Sequence, residues 1–227
     1  MIGTFINTGA VILGSTIGLI IHSRLPEKIV KIVFQAIGLF TILIGVQMGL
    51  QTQNFLILIL SLVIGSSLGE WIGIEKWLDS ISEKLKMTLK IKNEKFSQGI
   101  TIAFLQFCVG SLTILGTLQE GMGISKDLIL TKSILDGISS IALASVFGIG
   151  ILFAAIPLFV FQMSLTFIGM VAGNVLSNEL LLSINSTGGI LLIGLGIRIL
   201  EIKEIKVLNM LPSLPFALLI TYFITLF

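Results

Sequence analysis

The sequence predicts an all-α, polytopic transmembrane helix bundle of about eight spans, and three observations predict it. Only 11% of the 227 residues are charged, where a soluble domain carries about 25%. Mean hydropathy is +1.09. Apolar runs of roughly 17–25 residues, each long enough for a ~30 Å hydrocarbon layer, recur along the whole chain. No polar stretch is long enough to fold outside the membrane by itself. The expected organisation is one integral membrane domain over residues 1–227.

The spans fall near 3–22, 31–51, 54–74, 98–119, 127–147, 151–173, 184–200 and 207–227. The opening MIGTFINTGAVILG lacks a basic n-region and reads as a first membrane helix, not a cleaved signal. The fifth and sixth spans form one apolar run, divided at the glycines of Phe147-Gly148-Ile149-Gly150. The seventh is short unless it takes in Leu180–Ser183. Pro157 is placed to kink the sixth span, and Pro212 and Pro215 the eighth. Residues 74–96 are too charged to cross. Their apolar positions Ile74, Trp77, Leu78, Ile81, Leu85 and Leu89 recur at helical spacing with lysines between, which predicts an amphipathic linker helix on the cytoplasmic leaflet.

Orientation follows from Lys and Arg in short loops. Arg24, Lys28 and Lys31 follow span one. Lys76, Lys84, Lys86, Lys90, Lys92 and Lys95 follow span three, and Arg198, Lys203 and Lys206 lie around the end of span seven. Eight spans put all three clusters in the cytoplasm and both termini outside. Seven would separate Lys203 and Lys206 from the rest. Lys126 and Lys132 fall on the outer side and dissent.

A weak internal repeat runs beneath this pattern. Gly14-Ser-Thr-Ile-Gly18 resembles Gly169-Met-Val-Ala-Gly173, and Gly38 and Gly45 align with Gly189 and Gly196. Residues 1–74 and 151–227 then read as copies that enter the membrane from opposite sides, as in many secondary transporters. A central hairpin, 98–147, stands between them. Chance similarity of glycine-rich apolar text is the competing explanation. Glycines at every fourth residue, as in Gly14/Gly18, Gly65/Gly69/Gly73 and Gly169/Gly173, permit close helix approach and also suit a homodimer.

Chemistry concentrates in Leu128–Val146. Lys132 and Asp136 stand one turn apart on a shared helix face, and Ser140 continues it. Asp136 lies roughly 13 Å along a helix that begins near Asp127, so its carboxylate is deep in the bilayer. There it costs at least ~2.5–3.5 kcal/mol unless it is paired, hydrated or protonated. In span four, Gln106, Gly110, Thr113, Thr117 and Glu120 predict one polar stripe along a continuous helix. Lys132 has two carboxylates to choose between, Glu120 outward and Asp136 inward, which reads as a gate. Asn7 and Gln162, in spans that the repeat makes equivalent, are expected at the same hollow, reached by solvent. The plain alternatives are a structural Lys132–Asp136 pair and interhelical hydrogen-bond glue. Glu70, beside Trp71, reads as interfacial.

Other function classes are poorly served. Gly-x-Ser-x-Gly, His-Glu-x-x-His and P-loop signatures are missing. Asp136 is the one aspartate deep in a span, where intramembrane proteolysis needs two. Cys108 and His22 are the single residues of their kinds, so no metal site and no cofactor is expected. A net charge of +2, held in loops, makes no case for nucleic acid.

The stretches Gln106-Phe-Cys-Val-Gly110, Thr113-Ile-Leu-Gly116, Gln119-Glu-Gly121 and Lys132-Ser-x-Leu-Asp-Gly137-x-Ser-Ser140 carry a family resemblance. So do Gly3-Thr-x-x-Asn7-x-Gly9, Gly14-Ser-x-x-Gly18 and Gly188-Gly189-x-Leu-Leu-Ile-Gly194. Over essentially its whole length the chain resembles the YdfK/YqgA-like family of bacterial inner-membrane proteins, the domain of unknown function numbered 554. Where the family pattern often has Gln-Asp, this chain has Gln119-Glu120, which keeps the charge. The resemblance implies a multi-pass protein of the bacterial cytoplasmic membrane and leaves the substrate open. The expected function is transport of a small solute or ion. A membrane scaffold or sensor docking through the amphipathic helix, or a channel, is the alternative.

Overall fold

The computed structural model describes residues 1–22, 26–88, 95–108, 111–172 and 177–226, and no strand occurs among them. The helices are α1 (Ile2–His22), α2 (Glu27–Gly49), α3 (Phe55–Ile72), α4 (Ile74–Thr88), α5 (Phe96–Cys108), α6 (Ser111–Gly121), α7 (Asp127–Phe147), α8 (Gly150–Phe153), α9 (Ala155–Ala172), α10 (Asn178–Ile199) and α11 (Ser213–Leu226). A 3-10 turn, Val207–Met210, precedes α11. Among the described residues, six stretches are long and apolar enough to cross a bilayer: 2–21, 55–72, 127–147, 150–171, 179–199 and 207–224. The pair α5–α6 makes a seventh if it counts as one span, although its axes differ by 72°. Among the described residues, the apolar part of α2 is Gln35–Gly49.

Element ends follow local chemistry. Asn54 caps α3, its Oδ1 accepting from the amides of Leu56 at 2.9 Å and Ile57 at 3.3 Å. Gly73 ends α3 with φ 74°, a conformation that costs glycine little. Gly148, also at φ 74°, divides α7 from α8, where the two glycines predicted the boundary. Ser177 caps α10, so this helix does take in Leu180–Ser183. α8 and α9 belong to one apolar stretch, 150–171, interrupted at Ala154, three residues before Pro157; the proline has no N–H to give the Phe153 carbonyl four residues back. Pro212 and Pro215 open α11 and do not kink it. The amphipathic stretch is helical as α4, with Trp77, Ile81 and Met87 exposed. Its predicted residues 89–94 lie outside the described ones.

The chain forms two compact units that interleave along the sequence. One comprises Met1–Val33 with Ile81–Val175, the other Phe34–Ser80 with Leu176–Phe227. In the first unit, α1 and α7 run parallel in a long seam. Gly3 lies against Ile129, Gly14 against Gly137 and Ser140, and Gly18 against Ile141 and Ala144. The buried face of α1 is mostly small or polar (Gly3, Thr4, Asn7, Gly14, Ser15, Gly18, with Val11 the one larger apolar residue), while Ile6, Leu13, Ile17 and Ile20 point outward. This inverts a soluble helix. In lipid the apolar chains need no interior, and association rests on close packing and hydrogen bonds.

In the second unit, α3 and α11 pack antiparallel, with Gly65 against Ser213 and Gly69 against Asn209. There too α2 meets α10 in antiparallel sense, through Gly45 with Gly189 and Gly38 with Gly196.

A side chain at Gly14 would run into the Gly137 carbonyl and the Ser140 hydroxyl, whereas one at Gly9 meets nothing within 4 Å. Gly14→Leu is therefore expected to destabilise the protein by about 1–3 kcal/mol, the usual cost of overpacking. Gly9→Leu is expected to leave it unchanged. Unfolding midpoints of the purified variants in one detergent check the contrast.

Candidate functional site

One turn of α7 sets Lys132 against Asp136, and their ion pair forms within the helix, Nζ to Oδ1. The side chains are only 12% and 3% exposed. From α1, Asn7 donates its Nδ2 to the other carboxylate oxygen of Asp136 at 3.1 Å. Phe107, next to the last residue of α5, holds its ring centre 5.7 Å from the Lys132 ammonium, within cation–π range. Three helices thus meet on one ion pair. The sequence reading expects solvent at this level. Instead the glycine seam brings α1 close enough for Asn7 to cover Asp136, and the carboxylate is enclosed.

Ser140 does lie one turn beyond Asp136, but its hydroxyl turns back to the Gly137 carbonyl at 2.8 Å, facing Gly14. It belongs to the α1–α7 seam. Glu120 takes no part in the Lys132 pair. Its Oε1 accepts from the amide of Gly3 at 2.6 Å, and its Oε2 from the amide and hydroxyl of Thr4 at 3.3 and 3.4 Å. The Met1 ammonium lies 3.0 Å away. The carboxylate therefore caps the start of α1, where free amides and the helix dipole favour an anion. A cation shared between Glu120 and Asp136 is not what this geometry holds. The Thr4 hydroxyl also meets that of Thr166 on α9, at 3.2 Å.

The predicted fourth span is not straight. The axes of α5 and α6 differ by 72°, so no straight polar stripe runs from Gln106 to Glu120; residues 109–110, Gly110 among them, lie outside the described ones. Thr113, from the first turn of α6, donates its hydroxyl to the Phe107 carbonyl at 2.7 Å and satisfies an acceptor that the end of α5 leaves open. Gln106 is half-buried on α5, and its Oε1 has no hydrogen-bond partner among the described residues. Gln162 is fully buried on α9, one turn from Thr166, and neither atom of its amide is paired. The Oδ1 of Asn7 is also unpaired. Buried amides seldom stay so. Of the three, Asn7 is the one that touches the ion pair.

Sequence reasoning missed a second polar cluster, in the second unit. Glu70 accepts from Lys206 at 2.5 Å and from the Asn209 amide at 2.6 Å. Asn209 in turn accepts from the backbone amide of Glu75 at 2.7 Å, and Glu75 pairs with Arg198 at 2.6 Å. The hydrogen bond to Glu70, with the attraction of its charge, holds the Lys206 ammonium above the usual lysine range. The available signal is acidic residues at the end of one span and basic ones at the end of another; the sequence reading takes Glu70 as interfacial and uses the basic residues only for orientation. Among the described residues, no three of His, Cys, Asp and Glu gather as a metal site would require.

Comparisons with known proteins agree with the membrane reading. The family described as "Protein of unknown function (DUF554)" matches residues 2–222. The chain is similar to "Uncharacterized membrane protein YdfK" of Bacillus subtilis (strain 168), 36% identical over 218 residues, 94% of this chain and 93% of that one. It is also similar to "Uncharacterized protein YqgA" of Escherichia coli (strain K12), 30% identical over 223 residues, 96% and 95% of the two chains. No solved structure matches it.

Loss of the Glu120 carboxylate is expected to loosen the start of α1. In Glu120→Ala, amide exchange at Gly3 and Thr4 should quicken about ten-fold or more, as the loss of ~1.5–3 kcal/mol in charged hydrogen bonds implies. Exchange around Asp136 should hold. Residue-resolved NMR exchange in detergent micelles is the measurement.

Proposed function

Since the chain belongs to the DUF554 family, we propose that it is a carrier of a small solute or ion in the bacterial cytoplasmic membrane, acting through the Lys132–Asp136 pair. One observation carries this reading: the axes of α5 and α6 differ by 72° beside a buried ion pair. The Phe107 ring, near the end of α5, has its centre 5.7 Å from the Lys132 ammonium. Helix ends inside a bilayer are tolerated only where protein or water satisfies them. Breaks of this kind mark the binding sites of many carriers. The unpaired amide atoms of Asn7, Gln106 and Gln162 supply hydrogen-bonding capacity that a solute or water would use.

The repeat supports the same reading. Gly38 and Gly189, like Gly45 and Gly196, stand 151 residues apart. The contacts obey that shift. Gly45 meets Gly189 and Gly38 meets Gly196; Gly45 packs on Ile193 as Gly196 packs on Ile42. Exchanging the two copies returns the same contacts, as a local two-fold axis between antiparallel α2 and α10 requires. The helix starts agree, since Glu27 and Asn178 are also 151 apart.

A second reading has its own support. Both carboxylate oxygens of Asp136 are engaged, by Lys132 and by Asn7, in an enclosed place. That suits a structural clamp, and Asp136→Asn separates the two. In proteoliposomes screened with inorganic ions, amino acids and carboxylic acids, the wild type should give solute-dependent flux or current. Asp136→Asn should lower it at least about ten-fold, the scale of losing a transported-state interaction of ~1.4 kcal/mol, while eluting as wild type in gel filtration. Normal flux in the variant would assign the pair to the clamp. No flux from the wild type with any solute would remove the carrier reading.

A further inference from the structure

Within the second unit a cavity of about 250 Å³ lies between the starts of α3 and α10 and the end of α11. It holds roughly eight waters at ~30 Å³ each. α3 and α10 begin the candidate spans 55–72 and 179–199, so the cavity sits at a membrane boundary, where solutes and lipid headgroups both reach. Glu179 is charged, and among the described residues no Lys, Arg or His lines the cavity with it. Nor, among those residues, does any ion pair or hydrogen bond engage the Glu179 carboxylate. The sequence offers no counter-ion nearby, for residues 32–75, 133–197 and 207–227 contain no Lys, Arg or His. Arg198, at the far end of α10, is nineteen residues or ~28 Å away, and it is paired with Glu75.

The remaining walls select what that carboxylate can take. Glu179, Ser183 and Thr187 follow at every fourth residue, so α10 presents them along one face. Three of the lining hydroxyls give their protons to backbone carbonyls: Thr52 to Asn54 at 3.3 Å, Ser183 to Leu180 at 2.8 Å and Thr187 to Ser183 at 2.8 Å. What they offer a guest is lone pairs. Gln53 and Asn54 add amide donors, which are neutral. Helix starts attract anions, but here they are already served. Asn54 Oδ1 takes the first amides of α3, Ser177 caps α10, and Glu179 stands in its first turn. A single metal ion would leave most of the space to water and would have one carboxylate to hold it. Ile57, Leu182 and Ile224 supply an apolar wall. The complementary guest has a cationic donor at one end and a short hydrocarbon body.

We propose that this cavity binds a small primary ammonium compound, its ammonium on the Glu179 carboxylate and the hydroxyl oxygens of Ser183 and Thr187, its alkyl part against the apolar wall. Two sources share that chemistry: a free amine in water, and the headgroup of an aminophospholipid at the same boundary. The site lies wholly within the second unit and does not rest on the carrier reading.

Ligand-detected NMR titration of the purified protein, in detergent and an amine-free phosphate buffer, tests this. n-Butylammonium should bind saturably. Butanol and butyrate, its neutral and anionic counterparts, should bind at least about ten-fold more weakly. Glu179→Gln should weaken the ammonium at least about ten-fold, the scale of one charged hydrogen bond. Glu204→Gln, which removes an exposed carboxylate outside the cavity, should leave its affinity unchanged. Should Glu179→Gln fail to fold, Leu182→Trp keeps the carboxylate, fills the space and should weaken binding as much. Native mass spectrometry separates the sources, with phosphatidylethanolamine and phosphatidylglycerol added equally to the micelles. Selective retention of the first, lost in Glu179→Gln, assigns the headgroup; saturable n-butylammonium without that retention assigns a free amine. The site is overturned if neither probe binds, if butanol binds as well as the ammonium, or if the folded variants bind n-butylammonium as the wild type does.

Discussion

A carboxylate inside a membrane span has to be neutralised by the protein, and Asp136 is neutralised from two helices at once. Lys132 supplies the opposite charge from its own helix, and Asn7 a hydrogen bond from α1. Each is demanded by the low dielectric, since an unpartnered acid at this depth costs several kcal/mol. The second bond requires α1 to lie against α7 within hydrogen-bonding reach. That in turn demands small residues along the seam, and Gly3, Gly14 and Gly18 are where they are needed. Phe107 closes the third side, and the bend between α5 and α6 follows at once. The first unit is in this sense arranged around one charge.

The second unit is held by different means. Its helices meet through glycine on glycine, and its charged groups gather near the end of α3 and around the 3-10 turn. Asn209 is central there. It is 4% exposed, donates to Glu70 and accepts from Glu75. One amide thereby ties the end of α3 and the beginning of α4 to the turn that precedes α11. An asparagine suits this role because its side chain has both a donor and an acceptor; a leucine of similar size has neither.

Much of this was legible in the sequence, and the rest was hidden for identifiable reasons. The spans are visible because lipid imposes length and apolarity on each helix separately. Lys132 with Asp136 is visible because a helix fixes i and i+4 on one face. Asn7 was singled out only through the repeat, and its bond to Asp136 depends on an approach of two helices that no local pattern encodes. A straight fourth helix offers Glu120 to Lys132 as one of two carboxylates. With that helix bent, the carboxylate reaches the start of α1, a partner whose attraction lies in its backbone amides and not in its side chains. The Glu70–Asn209–Lys206 cluster was hidden likewise, since asparagine near a loop is common and nothing marks which carboxylate it will meet.

The parallel seam of α1 and α7 bears on how the chain is made. Asn7 and Asp136 are 129 residues apart. At ~5–20 residues per second, roughly 6–25 s of synthesis separate them. Throughout that interval α1 waits in the bilayer with its amide and its row of glycines uncovered. Asp136 faces no such delay, for its counter-ion arrives four residues before it on the same turn. The acid can be inserted already matched, whereas the first helix of the chain depends on a holder, a translocon or another helix, until its proper neighbour is threaded in beside it.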